Sequence, residues 1–152
     1  ESAAALERAL APRGRPPADL LELRTHLAEV MWNNVGILRN AAGLTRASAE
    51  LDALTAHLAE TGIRDLDPRY DMAWIDRLNL ENLLLVSRAI TTAASLRTDS
   101  RGAHFRTDYP ETSALATSRY SVVRLMGSEL PGTTEPVRFS RVRPGESLLA
   151  AA

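Results

Sequence analysis

The feature that most limits how this chain can fold is a run of apolar residues spaced alternately three and four positions apart. The residues that follow this spacing are Leu44, Ala47, Leu51, Leu54 and Leu58. An α-helix turns once per 3.6 residues, so the spacing places all five on one side of a helix. Such a stripe is typical of helices that pack side by side at a shallow angle. We therefore predict a helix from about Leu44 to Gly62, packed in a helical bundle.

A similar apolar stripe precedes this helix. Its members are Leu20, Leu23, Leu27, Val30 or Met31, and Val35. Pro17 or Ala18 suits the first turn, and Asp19 favours the same end because a carboxylate complements the positive pole of a helix. Gly36 supplies a stop signal. These residues predict a helix from about position 18 to position 36.

A third, longer helix is expected after a loop at residues 63–70, with Asp71 as its N-cap. Asn79 marks a kink or a break within it, and the helix should end near residues 100–102. Its apolar residues are Trp74, Ile75, Leu83, Val86, Ile90, Ala93 and Leu96. The three segments predict a mainly α fold, an antiparallel three-helix bundle of the spectrin-repeat type.

The flanking segments differ in character from the bundle. We interpret residues 1–17 as an N-terminal arm and linker, because a short Ala- and Leu-rich stretch is followed by several prolines. Residues 18–112 form the bundle domain, and residues 113–152 form a C-terminal extension. Within the extension, residues 120–125 and 137–142 are β-prone and flank a long loop. The extension is thus predicted to be a short β-hairpin or an irregular tail.

The composition excludes several kinds of chemistry. The chain has no Cys, so disulfides, thiolate nucleophiles and zinc–thiolate sites are excluded, and it has no Lys for a Schiff base or a phosphate loop. The formal net charge of −1 argues against nucleic acid and charged membranes as partners, and no apolar run is long enough to insert in a membrane. Neither G-x-G-x-x-G nor a Walker loop occurs, so we expect this chain to bind no nucleotide cofactor.

Polar residues cluster in one predicted loop after the third helix, at residues 100–110. If this loop is extended, His104, Arg106 and Asp108 lie on one side. Phe105 and Tyr109 lie on the other, an apolar side that is able to be buried. Two interpretations stay open. The loop either binds a carboxylate or docks a neighbouring domain through Arg101 and these three polar residues, or it is a salt-bridged loop that ties the third helix to the bundle.

Other candidate residues lie on or beside the predicted helices. His26 and His57 stand alone, without a second ligand at metal-binding spacing, so we interpret them as surface residues. Gly102 can adopt the left-handed conformation that caps a helix. Near the end of the first helix, Trp32 is interpreted as a core or interface residue, and Arg39 as an anchor for a carboxylate or a helix end.

Two segments, in this order and at this separation, resemble one known family. The chain is similar to the C-terminal helical domain of the succinate dehydrogenase and fumarate reductase flavoprotein subunit, a family that includes L-aspartate oxidase. That domain typically has M-W-x-x-V-G-I-x-R at a helix end, and S-R-G-x-H-x-R-x-D-Y-P after a long helix. The matching residues here are Met31, Trp32, Val35, Gly36, Ile37 and Arg39, then Ser100, Arg101, Gly102, His104, Arg106, Asp108, Tyr109 and Pro110. The resemblance covers about residues 18–110, with Asp99 where the family usually has Glu.

The resemblance implies a helical domain of an FAD-dependent oxidoreductase that acts on dicarboxylates. In that family the catalytic and flavin-binding residues belong to preceding domains, so no catalytic, cofactor or metal residue and no activity are expected in this chain alone. The loop of Arg101, His104, Arg106 and Asp108 would dock on the flavin-binding domain, beside a helix-turn anchor of Trp32 and Arg39. The implied partners are that domain and an iron–sulfur subunit, in the cytoplasm or at the cytoplasmic face of a membrane complex.

Two alternatives belong to other classes of protein. One is a stand-alone α-helical module whose exposed helix stripe binds another protein. The other is a small enzyme that uses His104 as a base and Asp108 to orient it. Because the chain begins with Glu, we expect either a trimmed protein or a piece of a longer polypeptide.

Overall fold

The computed structural model describes residues 16–62 and 72–146. Within them, three helices pack on one another: α1 (Leu20–Val35), α2 (Ala41–Glu60) and α3 (Ala73–Ser95). The predicted mainly α fold is confirmed. Most of the N-terminal arm, the loop at residues 63–70, the Asp71 cap and the end of the C-terminal tail lie outside the described residues. No helix in the described part of the chain is both long and apolar enough to cross a membrane.

Side-chain caps set where the first two helices begin. The Asp19 carboxylate accepts hydrogen bonds from the backbone N–H groups of Leu21 and Glu22, both at 3.0 Å, so α1 begins directly after it. Asn40 caps α2 in the same way through the N–H of Gly43, at 2.8 Å. A cap satisfies N–H groups that have no partner within the helix, which explains both starts. The α2 helix therefore begins three residues before the predicted Leu44.

The bundle core is built around the predicted stripe of α2. All five of its residues are at most 6% exposed, and the core residues together are Leu27, Val30, Val35, Leu44, Ala47, Leu51, Leu54, Leu58, Leu80, Leu84 and Ala94. Fully burying a leucine contributes about 1.5–3 kcal/mol, so α2 is the main source of packing energy.

The α3 helix departs from its predicted pattern. It runs through Asn79 without a break and ends at Ser95, several residues before the predicted end. Leu83 and its apolar neighbours Val86 and Ile90 are exposed, while Thr91 is buried. The Thr91 hydroxyl donates to a backbone carbonyl one turn earlier, at 2.9 Å, so a polar side chain can occupy the core face.

An arginine from a later segment closes the C-terminal end of each helix. Arg39 lies in the two-residue strand β1 (Leu38–Arg39), Arg77 lies in α3, and Arg106 lies in the two-residue strand β2 (Phe105–Arg106). Arg77 and Arg106 are only 3% and 2% exposed. Their guanidinium groups donate to carbonyls in and just beyond the last turn of the helix, where regular helical hydrogen bonding ends, and complement its negative pole. The accepting carbonyls are those of Val35 and Gly36 for Arg39, Leu58 and Thr61 for Arg77, and Ala94 and Arg97 for Arg106.

The C-terminal extension contains the predicted hairpin, but its second strand lies elsewhere. After a 3₁₀-helix (Leu115–Thr117), β3 (Arg119–Val123) pairs antiparallel with β4 (Gly132–Pro136), so the prediction of a strand at residues 137–142 is wrong. The tight turn at residues 126–129 has Gly127 at φ +64°, as in a type II′ turn. The pairing keeps the same register from this turn to the end of the hairpin. This register pairs β3 with the Thr-containing residues 132–136 and not with the more β-prone residues 137–142.

Candidate functional site

The two segments that carry the family resemblance meet in a short parallel ladder. Strands β1 and β2 pair Leu38 with Phe105 and Arg39 with Arg106. Backbone hydrogen bonds of 3.1 Å and 2.8 Å link Ile37 to Phe105 and Arg39 to Thr107. We call this pairing the motif junction. Sequence reasoning did not predict the contact, because two paired strands of two residues each leave no periodic pattern.

A two-bond ion pair lies at the centre of the motif junction. Arg106 donates through Nε and Nη2 to the two carboxylate oxygens of Asp108, both at 2.7 Å. One of these oxygens also accepts the backbone N–H of Ala41 at 2.9 Å, at the start of α2. The pair thus connects the negative end of α3 to the positive end of α2. The Arg106 hydrogen bond holds the pKa of Asp108 well below its usual range, and the same bond raises the pKa of Arg106.

A second polar contact joins the two segments from the other side. Arg39 Nη1 lies 2.6 Å from His104 Nδ1. A guanidinium group can only donate, so Nδ1 accepts and the imidazole carries its proton on Nε2. Burial lowers the pKa of His104, and the positive charges of Arg39, Arg97 and Arg106 act in the same direction. His104 Nε2 is buried and has no hydrogen-bond partner among the described residues.

The loop between α3 and the motif junction is held by backbone turns. Arg101 and His104 exchange backbone hydrogen bonds of 2.8 Å and 3.1 Å around Gly102, whose φ is +56°. Gly102 is left-handed as predicted, but it lies in a turn rather than at a helix cap, because α3 has already ended. Arg101 Nη2 donates to the Ser113 carbonyl at 2.7 Å. The loop is thus connected to the C-terminal extension as well as to the bundle.

The loop buries one of its polar side chains and leaves its aromatic rings at the surface. Arg106 is 2% exposed, whereas Phe105 and Tyr109 are 37% and 44% exposed. Arg106 faces inward because carbonyls at the end of α3 accept its hydrogen bonds, while its partner Asp108 stays at the surface. The apolar side that was predicted to be able to bury is therefore not covered by the described residues of this chain.

Exposed apolar side chains surround the motif junction. Trp32, in the last turns of α1, is 83% exposed and is not a core residue, and Ile37 and Leu38 are 64% and 68% exposed. Leu38 and Phe105 are register partners and therefore lie side by side. We call Trp32, Ile37, Leu38 and Phe105 the junction face. Grouped apolar side chains on a surface are typical of sites that contact another protein or domain.

The described residues offer no arrangement for catalysis of the kind considered above. The Asp108 oxygens bind Arg106 and Ala41, so they do not orient His104. Nowhere in residues 16–62 and 72–146 do three His, Asp or Glu side chains converge as a metal site would require. His26 and His57 are both exposed.

An open groove along α1 does not fit a flavin dinucleotide. Its volume is about 770 Å³, and its lining includes Asp19, Glu22 and Glu29. Carboxylates would repel the pyrophosphate of FAD, whereas sites for such groups present backbone N–H groups or cations. This groove therefore does not match the cofactor.

Comparisons with known proteins agree with the motifs. The family described as the fumarate reductase flavoprotein C-terminal region matches residues 24–148, so the match extends past residue 110 and includes the hairpin. The fumarate reductase flavoprotein subunit of Mycobacterium tuberculosis is 30% identical over 145 residues, 93% of this chain and 24% of that protein. The L-aspartate oxidase of Mycobacterium leprae is 37% identical over 123 residues, 81% of this chain and 21% of that protein.

Solved structures extend the agreement to the fold. Mycobacterium smegmatis Sdh1 in complex with UQ1 has a TM-score of 0.79 at 31% identity, over 95% of this chain and 25% of that one. A quinol–fumarate reductase has a TM-score of 0.81 at 17% identity, a likeness of fold alone, over 93% of this chain and 25% of that one. This chain thus spans a quarter or less of the length of the relatives named here.

Proposed function

This chain belongs to the family of C-terminal domains of succinate dehydrogenase and fumarate reductase flavoproteins, and from that premise we propose that it docks on the flavin-binding domain of an FAD-dependent oxidoreductase acting on dicarboxylates. The reacting groups and the FAD belong, in this proposal, to the flavin-binding part and not to the present residues. The names of its relatives, fumarate reductase flavoprotein subunit and L-aspartate oxidase, support the dicarboxylate class. The family match favours this function over a stand-alone interaction module.

The observation that carries the proposal is the junction face. Trp32 is 83% exposed, and Ile37 and Leu38 are more than 60% exposed, beside the two segments that carry the family motifs. Aromatic side chains are enriched where proteins contact one another, and burying a ring of this size contributes strongly to binding. A flavin-binding domain that covers this face removes apolar surface from water.

The polar residues of the motif junction act in this proposal as positioning residues. Arg106 and Asp108 fix the loop against two helix ends, and Arg39 holds His104 on the other side. With the loop fixed, Phe105 projects beside Leu38 at a defined place on the surface. Arg101, His104, Arg106 and Asp108 thus support a docking loop whose contact surface is apolar. An iron–sulfur subunit is a further partner that we propose for the complete protein, at the cytoplasmic face of a membrane complex.

The test is co-expression of this chain with a flavin-binding domain of the family from which the corresponding segment has been deleted. We expect the two pieces to copurify and dicarboxylate-dependent reduction to be restored. The substitution Leu38→Glu places a charge in the junction face and should abolish copurification. The matched control is Leu21→Glu, because Leu21 is 74% exposed at the opposite end of α1. Equal loss in both variants, or no copurification of the unchanged pieces, would refute the proposal.

The absorption spectrum of the purified chain tests where the cofactor belongs. We expect no flavin band, because the proposal assigns the FAD to the flavin-binding domain and the groove along α1 is lined by carboxylates. A yellow preparation with flavin bound in stoichiometric amount would show that the chemistry has been assigned to the wrong part of the protein.

A further inference from the structure

A small polar cavity lies between the end of α3 and the C-terminal hairpin. Its volume is about 110 Å³. We call it the hydroxyl pocket because serine and threonine side chains form much of its wall. The lining residues used below are Arg97, Asp99, Ser118, Arg119, Ser121 and Thr134. None of the four junction-face residues lines this pocket, so it is separate from the proposed docking surface.

Two residues of the pocket lining carry hydroxyl groups that have no partner. Ser118 Oγ and Ser121 Oγ are buried, and neither makes a hydrogen bond to any other described residue. Buried hydroxyls in folded proteins almost always have a partner, because leaving one unpaired costs its full desolvation energy. Two such groups on residues that line one cavity favour a bound molecule that supplies the missing hydrogen bonds.

The charges around the pocket favour an anion. Arg97 and Arg119 line it, against the single carboxylate of Asp99. That carboxylate accepts a hydrogen bond from Arg97 at 2.9 Å and lies 3.8 Å from Arg101, so its charge is already balanced. Arg97 Nε and Arg119 Nη1 donate to no protein atom in the described structure, since the bonds of these side chains come from their other nitrogens.

The helix end beside the pocket does not repel an anion. The carbonyl groups at the end of α3 form its negative pole, which would repel an anion if it were open. Arg106 binds the carbonyls of Ala94 and Arg97 there and supplies a compensating positive charge. The groups that remain free to bind a molecule in the pocket are therefore hydroxyls and guanidinium N–H groups.

We propose that the hydroxyl pocket binds a small oxyanion, the size of phosphate or of the carboxylate end of a small organic acid. Hydroxyl and guanidinium N–H groups all donate to anionic oxygens, and such bonds are stronger than those between neutral groups. One water occupies about 30 Å³ of liquid, so the cavity of about 110 Å³ has room for about three waters, or for one small ion in their place.

The test measures thermal unfolding of the complete chain in inorganic phosphate, in succinate and in sodium chloride at matched ionic strength. We expect phosphate or succinate to raise Tm by about 4 °C at ten times its dissociation constant, with no rise in chloride. A rise with phosphate alone identifies a phosphate site, and a rise with succinate alone identifies a carboxylate site. A pocket that holds only water would give no rise with either anion, which would overturn the proposal.

The double substitution Ser118→Ala with Ser121→Ala should remove the rise. Its Tm without added anion should not fall, because the two hydroxyls make no bond that the protein would lose. The control Ser140→Ala removes an exposed hydroxyl outside the pocket and should keep the full rise. A rise that persists in the double variant would refute this location. The Nε–H signal of Arg97 in the unchanged chain is a second readout, and phosphate should shift it while chloride should not.

Discussion

Replacing Arg106 with Ala should destabilise the bundle strongly, although it removes a charged residue. The side chain is 2% exposed and donates to the Arg97 carbonyl at 2.7 Å. A hydrogen bond from a charged group contributes about 1.5–3 kcal/mol, and a buried carbonyl left without its donor costs about 1–3 kcal/mol more. We therefore expect a loss of about 3–5 kcal/mol.

Urea unfolding followed by circular dichroism measures this loss. With a slope of about 2 kcal/mol per molar urea, the midpoint should fall by about 2 M. The urea midpoint of Arg106→Lys should lie between those of Arg106→Ala and the unchanged chain, because lysine keeps the charge but not the planar fork that binds Asp108.

The matched control for this prediction is Arg124→Ala. Arg124 pairs with Glu135 at 3.1 Å on the hairpin, and its side chain is 63% exposed. An exposed pair contributes at most about 1 kcal/mol, so this variant should move the midpoint little. If Arg106→Ala moves the midpoint no further than Arg124→Ala does, the argument that Arg106 closes α3 is wrong.

Three further predictions concern pH and backbone packing. Asp108 has a lowered pKa, so its ionised form stabilises the fold. The unchanged chain should therefore have a higher free energy of unfolding in urea than Asp108→Asn, and this difference should shrink as pH drops below about 4. His104 also has a lowered pKa, so stability should fall as pH drops below about 6.5, and His104→Gln should flatten that part of the Tm profile. Gly36→Ala should cost about 1–3 kcal/mol in urea unfolding, because its Cβ would lie 2.7 Å from the Trp32 carbonyl oxygen.

Each of these predictions has its own control and contrary result. An unchanged pH profile in Asp108→Asn would show that the Arg106 pair adds nothing to stability. Titration of His104 by NMR at or above the ordinary histidine pKa would contradict the lowered pKa on which this prediction depends. Gly43→Ala is the control for Gly36→Ala, because its nearest atoms lie at 3.4 Å and alanine favours a helix. Equal effects at the two glycines would remove the steric explanation.

Sequence reasoning predicted well the part of the fold in which buried residues recur at helical spacing. The α2 stripe was predicted completely, because apolar spacing reports directly which side of a helix is buried. On α3 the same reasoning selected exposed residues such as Val86. The buried side includes the polar residue Thr91, whose hydroxyl donates to a backbone carbonyl of the same helix. In the hairpin, the turn at Gly127 outweighed β-propensity in selecting the second strand.

The sequence shows that charged residues cluster in the loop, but not how they are arranged. Nothing in their spacing shows that Arg106 lies inside and Phe105 outside. That choice depends on where two helices end in space. Arg39 and His104 meet across 65 positions, and such a long-range contact leaves no local pattern.

The arginines that close the three helix ends all come from residues later in the chain than the helix they complete. The C-terminal end of each bundle helix lacks its arginine until the following segment has folded into place. The three helices therefore cannot reach their final structure one at a time. Formation of the domain should accordingly be strongly cooperative. A chain that stops at Ser95 would contain all three bundle helices in full and still lack the group that completes the last of them.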